Sequence, residues 1–207
     1  MMNDIPATHS SSAINPFLKQ GPVFIDSGMF YLRSLIGSDI NERVLKWLTN
    51  SEMLAGLNLN ALNFNLEQLR NFVLNFNNST NYFIGIFAKK DNLLIGFYTI
   101  DVNLLHKVAM LTSGIGEPEY QGRYVYWKTI DALIDFFYMN RDIYKFTCRI
   151  VENNLRILFN FMNNPRFELE ATLKNECLTP SGERVDILIF SSYADDGKKS
   201  AMLSQDK

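Results

Sequence analysis

Apolar and polar positions alternate along this chain in two rhythms. From residue 130 the apolar side chains Ile130, Leu133, Ile134 and Phe137 recur at the spacing of one helical face, which predicts a helix over residues 124–138. A short apolar run at 108–111 reads as the strand before it, and Gly114, Gly116, Pro118 and Gly122 punctuate the connection. Upstream, residues 29–35 predict a first strand with Phe30, Leu32 and Leu35 as its apolar positions. Asp39 then opens a helical pattern carrying Val44, Leu45, Trp47 and Leu48, with Ser38 or Asp39 as its cap. A second helix is predicted over 66–76 from Leu66, Leu69, Val73 and Phe76. Residues 82–88 and 93–101 read as strands joined by a turn at Lys89, Lys90, Asp91 and Asn92. Past the central helix the pattern gives a strand at 145–151, a helix after Asn153 and Asn154, a strand from Glu168, and a closing strand at 185–191. This order predicts an α+β fold with a mixed sheet.

Composition narrows the class. The 207 residues suit a single domain with a substantial core, 47% of them hydrophobic and 20% charged. The boundaries expected are a flexible leader at 1–21, one domain at 22–193 and a polar tail at 194–207. A net charge of −2 supplies no basic field for nucleic acid. The only cysteines are Cys148 and Cys177, which excludes a disulfide framework or zinc site and fits a reducing compartment; Cys148, mid-strand, reads as structural. No apolar run approaches membrane-spanning length and no signal pattern opens the chain, so a cytoplasmic protein without membrane contact is expected. Sixteen Phe and nine Tyr are assigned to core or to a homodimer interface, and an interaction module using an aromatic surface stays open beside that. The asparagines crowding residues 58–78 read as loop formers. His9 falls in the leader as a solvated residue, and His106 is weighed as a general base against a plain connection between strands.

The candidate chemistry lies in the punctuated turn. A polar, glycine-bearing turn entering a helix presents unpaired backbone N–H groups at the positive end of the helix dipole, which suits a phosphate or pyrophosphate. The stretch from Ile115 to Arg123, IGEPEYQGR, resembles the acyl-CoA-binding segment of the GNAT acetyltransferases, in particular their RimJ/RimL-like branch. Gln121, Gly122 and Arg123 match that family's turn, while Tyr124 and Tyr126 stand where it keeps small residues. The opening YLRSL…WLTNSEML is similar to that branch and to acetyltransferases of amino-sugar pathways; Gly96, Asn154 and Asp186 match further positions.

The resemblance implies a GNAT-type sheet, mostly antiparallel and flanked by helices, whose splayed central strands form an acyl-CoA cleft. It implies transfer of an acyl group, acetyl above all, from acetyl-CoA directly to a primary amine, without a metal. The acceptor is read as a small molecule or nucleotide-linked amino sugar, with a protein N-terminus and a catalytically degenerate binding protein as alternatives. The implied cofactor-binding residues are Ser113, Gly114, Ile115, Gln121, Gly122, Arg123, Tyr124, Val125, Tyr126 and Asn154. Backbone from Thr112 to Ile115 would hold the pantetheine amides and the thioester oxygen. Glu117 is the candidate base, weighed against a surface carboxylate, and Glu119 stands beside it. Asn154 is read as a cofactor contact, a helix cap, or both; Trp47 as an acceptor-lining residue or core. The family commonly has a tyrosine on the helix after the Asn to protonate the departing thiolate. Here that helix carries Phe159 and Phe161, leaving Tyr124, Tyr126 or water as the donor.

Overall fold

The computed structural model describes residues 20–59, 62–122, 124–179 and 181–194, so most of the expected leader and tail, with His9, Asn60 and Arg123, lie outside the described residues. Among the described residues eight strands form one sheet: β1 (Phe24–Ser27), β2 (Phe30–Ser34), β3 (Asn81–Ala88), β4 (Leu93–Asn103), β5 (Val108–Ile115), β6 (Lys145–Val151), β7 (Glu168–Leu178) and β8 (Arg184–Tyr193). Their spatial order is β1-β2-β3-β4-β5-β6-β8-β7. Every neighbouring pair is antiparallel except β5 and β6, which run parallel. The helices are α1 (Glu42–Leu45), α2 (Ser51–Gly56), α3 (Leu66–Leu74), α4 (Val125–Asn140) and α5 (Leu155–Met162). Among the described residues no helix is long and apolar enough to cross a membrane.

Two layers of side chains sandwich the sheet. On one face α4 buries Ile130, Leu133, Ile134 and Phe137, all at 0% exposure, against Ile84, Ile86, Tyr98, Ile100 and Phe146. Each such side chain contributes about 1.5–3 kcal/mol relative to exposure, so packing far more than intrinsic propensity holds this helix. The opposite face carries a smaller core in which Trp47, Val44, Met53, Leu69 and Val73 pack on Leu35, Phe87 and Leu94.

The pattern-based elements stand with local revisions. A strand precedes the expected first one: β1 turns back at Gly28, whose φ is +69°, and pairs Phe24 with Arg33. The single helix expected after Asp39 is broken into 3₁₀ turns at Gly37–Asp39 and Lys46–Thr49 and the short helices α1 and α2. Neither Ser38 nor Asp39 caps it. Asp39 is held by Arg33 through a two-pronged ion pair (2.7 and 2.6 Å) and accepts from the Ile36 N–H at 2.8 Å. Asn41 caps α1 and Asn50 caps α2. Other asparagines serve the backbone too: Asn65 caps α3, while Asn58 and Asn78 take left-handed conformations that asparagine tolerates. His106 lies in the turn between β4 and β5, its N–H bonded to Asn103 Oδ1 at 3.0 Å. Gly21, expected in the leader, bonds Asn78 and receives a hydrogen bond from Arg141; Ala194, expected in the tail, bonds Tyr144.

Candidate functional site

The ladder between β5 and β6 lasts three residue pairs, Val108 with Lys145, Ala109 with Phe146 and Met110 with Thr147. Beyond it β5 continues to Ile115 and β6 to Val151 with no ladder between them. The outer edge of each strand stays paired, β5 with β4 through Ile115 and β6 with β8 through Val151. The two strands therefore part like a V whose inner edges offer backbone N–H and C=O groups that no strand claims. Gly96 permits the tight pairing of β4 with the outer end of β5. A Cβ there would sit 2.6 Å from the Gly114 carbonyl oxygen.

The turn leading from β5 to α4 sits at the open end of this V. Gly122 has a φ of +71° and nothing within 4 Å of where a Cβ would lie. Tyr124, the residue before α4, is left-handed as well (φ +58°, ψ +13°), and its side chain makes no capping hydrogen bond. A left-handed tyrosine costs roughly 1–3 kcal/mol, and strain of this kind gathers at ligand clamps. The first N–H groups of α4 have no intrahelical partner, so the turn and helix end together form a concavity suited to an anion.

The tyrosines that replace the expected small residues behave differently. Tyr124 is 72% exposed and turns its ring away from the fold, leaving the turn open. Tyr126 points inward, 6% exposed, with its ring centroid 5.4 Å from that of Phe161. Its hydroxyl is buried and finds no hydrogen-bond partner among the described residues. Burial pushes it well above the ordinary tyrosine value, and the charges of Cys148, Tyr98 and Asp131 add to the rise. Val125 is buried between them in sequence, and Ser113, Gly114 and Ile115 line β5 half-buried.

The remaining candidates fall on either side of the gap. Glu117 Oε1 accepts from Trp47 Nε1 at 3.1 Å and from Arg43, whose guanidinium also reaches the Leu94 carbonyl at 2.9 Å. Trp47 is 6% exposed and lies flat on Gly116, where a Cβ would fall 2.0 Å from its ring. It is thus a core residue that also fixes a carboxylate at the mouth of the V. Glu119 is exposed. Asn154 caps α5, accepting from the Ile157 N–H at 3.3 Å, and its Nδ2 donates to the Gly56 carbonyl at 2.9 Å, tying α5 to the end of α2. Gln121 Nε2 donates to the Ile115 carbonyl at 3.2 Å while its Oε1 accepts from Arg156 at 3.3 Å. Arg156, which pattern reading passed over, brings positive charge to the rim from the first turn of α5. Cys148 is buried and free, and Cys177 is free. Among the described residues no three of His, Cys, Asp and Glu gather as a metal site requires. A cavity of about 400 Å³ lined by Thr80, Asn81, Asp101 and Met110 lies at the opposite end of β5 and shares no residue with the turn.

No protein-family model matches the chain, and no curated protein matches its sequence. Its fold matches solved structures closely. A GNAT-family acetyltransferase from Bacillus anthracis superposes with a TM-score of 0.68 at 16% identity, over 83% of this chain and 98% of that one. A ribosomal-protein S5 alanine acetyltransferase from Vibrio fischeri gives 0.72 at 15% identity, over 84% and 98%. A spermidine N-acetyltransferase from Vibrio cholerae, solved with CoA and spermine, gives 0.70 at 16% identity, over 80% and 95%. The chain has the GNAT acetyltransferase fold.

Proposed function

We propose that this protein transfers an acetyl group from acetyl-CoA directly to a primary amine. The observation that carries the reading is the parting of parallel β5 and β6 above the left-handed turn at Gly122 and Tyr124. The residues present fit the co-substrate. The turn and the start of α4 offer amides for a pyrophosphate, and Gly122 leaves room for it. The free inner edge of β5 from Thr112 to Ile115 matches the peptide-like groups of a pantetheine arm, and its N–H groups can favour the oxyanion that develops at the thioester carbonyl. The thioester supplies the activated acyl group. The amine must be neutral to attack, so a proton acceptor or water chain must adjoin it. Glu117 stays a candidate for that role through Oε2, because Arg43 and Trp47 both engage Oε1.

The acceptor proposed is a small molecule or nucleotide-linked amino sugar, a reading supported by the opening segment from Tyr31 to Leu54. Spermidine and ribosomal-protein acetyltransferases among the structural neighbours support amine acceptors of either size. A second reading, a GNAT-shaped binding protein without catalysis, is favoured by one observation: Tyr126 fills space below the turn. The unit proposed to carry the activity spans residues 22–193, in the cytoplasm, where two free cysteines are at home. A homodimer belongs to the proposal, supported by an exposed apolar stripe on α5 formed by Leu155, Phe159 and Met162; sedimentation measures it. Calorimetric titration with acetyl-CoA and desulfo-CoA tests the central reading. Micromolar binding followed by turnover in an amine screen supports it. No binding at millimolar ligand overturns it.

A further inference from the structure

Of the two faces of the sheet, the one turned away from α4 is only partly covered. The core that α1, α2 and α3 build on it ends at Phe83 and Phe97. Beyond that edge lies a bare strip: Thr99 pairs with Thr112, Asp101 with Met110, and Met110 with Thr147, and none of the five is buried. Their strand neighbours Tyr98, Ile100, Ala109, Leu111 and Phe146 point into the α4 core, so alternation sets the five on the opposite side. The strip starts beside Gly114 in the open half of the V, where the Phe97 ring lies against the glycine, 2.8 Å from where a Cβ would fall. It ends at the cavity of about 400 Å³ to which Asp101 and Met110 belong.

Asp101 is the single charged residue lining that cavity. Aspartate is depleted from strand interiors, yet this one is flanked by strands on both sides, opposite Asn81 of β3 and Met110 of β5. Its carboxylate has no hydrogen bond or ion pair among the described residues. The cations of the same face are taken, Lys145 by Glu170 and Arg149 by Glu176. Its polar neighbours Asn81 and Asn103 turn their side-chain oxygens to loop N–H groups, those of Asn77 at 2.7 Å and His106 at 3.0 Å. The cavity thus holds one unanswered negative charge beside the exposed flank of Met110. That combination suits an ammonium group on an apolar stem.

Two to four residues of β5 separate Met110, opposite Asp101, from Thr112 and Gly114, whose backbone faces the thioester carbonyl in the acetyl-transfer reading. At the rise of an antiparallel strand that is roughly 7–14 Å. Buried Tyr98, Tyr126 and Phe161 fill the α4 side of the V, which leaves the bare strip as the way in for an amine. Resting on the acetyl-transfer reading, we propose that the acceptor is a linear aliphatic amine with a second ammonium group roughly 7–14 Å from the first, the far charge held by Asp101. Its methylene chain lies along Thr99, Thr112 and Met110. The near amine, neutral, bonds the carbonyl carbon; the carbon–sulfur bond breaks, sulfur leaves with the electron pair, and the proton shed by nitrogen passes to solvent. The far ammonium stays charged throughout. This narrows the acceptor to a small molecule and turns away a nucleotide-linked one, whose phosphates the carboxylate repels.

The test uses the full chain and acetyl-CoA with diaminooctane, octylamine and diaminopropane as acceptors, so that the second charge and its distance vary separately. Diaminooctane is expected to exceed the other two in kcat/KM by about five- to tenfold, chiefly through KM, with a margin that shrinks as salt is added. Asp101→Asn is expected to bring diaminooctane down to the level of octylamine, with octylamine turnover and acetyl-CoA affinity unchanged. A carboxylate that only braced the fold would lower both amines together. Equal kcat/KM for diaminooctane and octylamine in the unaltered protein overturns the assignment. So does an advantage that survives in Asp101→Asn, or a higher kcat/KM on a nucleotide-linked amino sugar; in each of these cases acetyl transfer itself stands. Failure of the unaltered protein to bind acetyl-CoA removes both readings.

Discussion

Replacing Glu117 separates a structural carboxylate from a catalytic one. Its side chain is 16% exposed and that of Arg43 34%. In Glu117→Ala the Trp47 N–H, buried with its ring, loses its acceptor at 3.1 Å, a loss of roughly 1–3 kcal/mol. Arg43 keeps its bond to the Leu94 carbonyl and is partly solvated, so the lost ion pair adds only about 0–1 kcal/mol. The sum, about 1–4 kcal/mol, is a readable fraction of a stability of roughly 5–15 kcal/mol. Glu117→Gln keeps an oxygen for Trp47 and removes only the charge, so it costs less than about 1 kcal/mol. Urea unfolding gives both numbers from the midpoint at constant slope. An alanine variant within about 0.5 kcal/mol of the unaltered protein refutes the triad's structural role. So does a glutamine variant as unstable as the alanine one. The glutamine variant also reads out the chemistry. If Glu117 is the base, kcat drops about 10²–10⁴-fold at nearly full stability; if it only braces Trp47, activity survives.

Other consequences can be measured directly. Gly116→Ala forces a methyl to within 2.0–2.5 Å of three Trp47 ring atoms and is expected to cost about 3 kcal/mol; pairing it with Trp47→Leu recovers part of that loss in a double-mutant cycle. Gly122→Trp places a side chain on a left-handed residue in open space. It costs about 1–2 kcal/mol of stability and abolishes CoA binding by calorimetry; unchanged affinity removes the turn as the phosphate site. The Cys148 thiol and the Tyr98, Tyr126 and Tyr138 hydroxyls are all raised, chiefly by burial, Tyr138 to about 12 from 10.0 and Cys148 from 9.0. Their contribution is complete below the unfolded-state values. It is lost as pH climbs from about 9 for the thiol and about 10 for the phenols, at up to about 1.4 kcal/mol per group per pH unit. Thermal melts should therefore fall steeply above pH 10, and Cys148→Ala should remove the part of the loss that begins near pH 9.

The elements that pattern reading placed well are those whose apolar spacing serves one core. The strand at 145–151 matches β6 to the residue, because Phe146, Cys148 and Ile150 alternate into the α4 face. β5 runs to Ile115, past the apolar run that announced it, because its ladder with β4 carries exposed Thr112 and half-buried Ser113 and Gly114 along in the sheet, residues whose types announce no strand. β1 escaped notice because four residues with one buried position carry too short a period. The helix after Asp39 was legible as helical but not as broken, since the breaks follow caps at Asn41 and Asn50 that compete with its apolar rhythm. Within the candidate site, the glycine-bearing turn into a helix and the helix cap at Asn154 were readable from spacing and residue type. The partners of Glu117 were not. Arg43 and Trp47 lie 74 and 70 positions away, a distance no periodicity spans. The contrary fates of Tyr124 and Tyr126 were equally hidden, because they depend on a left-handed turn that rotates one ring outward and the next inward.

The two outermost strands bear on how this protein behaves at high concentration. A sheet edge is a row of unsatisfied amides and carbonyls that can recruit another chain into a growing fibril. β1 offers four residues, too few to template an extended partner. β7 offers eleven, exposed at nearly every position, but its register against β8 slips twice, between Leu169 and Ala171 and between Leu173 and Cys177. Those bulges twist the edge, and Glu168, Glu170, Lys174 and Glu176 line it with charge, Glu170 pinned by Lys145 and Lys174 by Asp186. Straightening that strand by deleting Glu170 or neutralising its charges would turn a soluble edge into an adhesive one, with folding itself little affected.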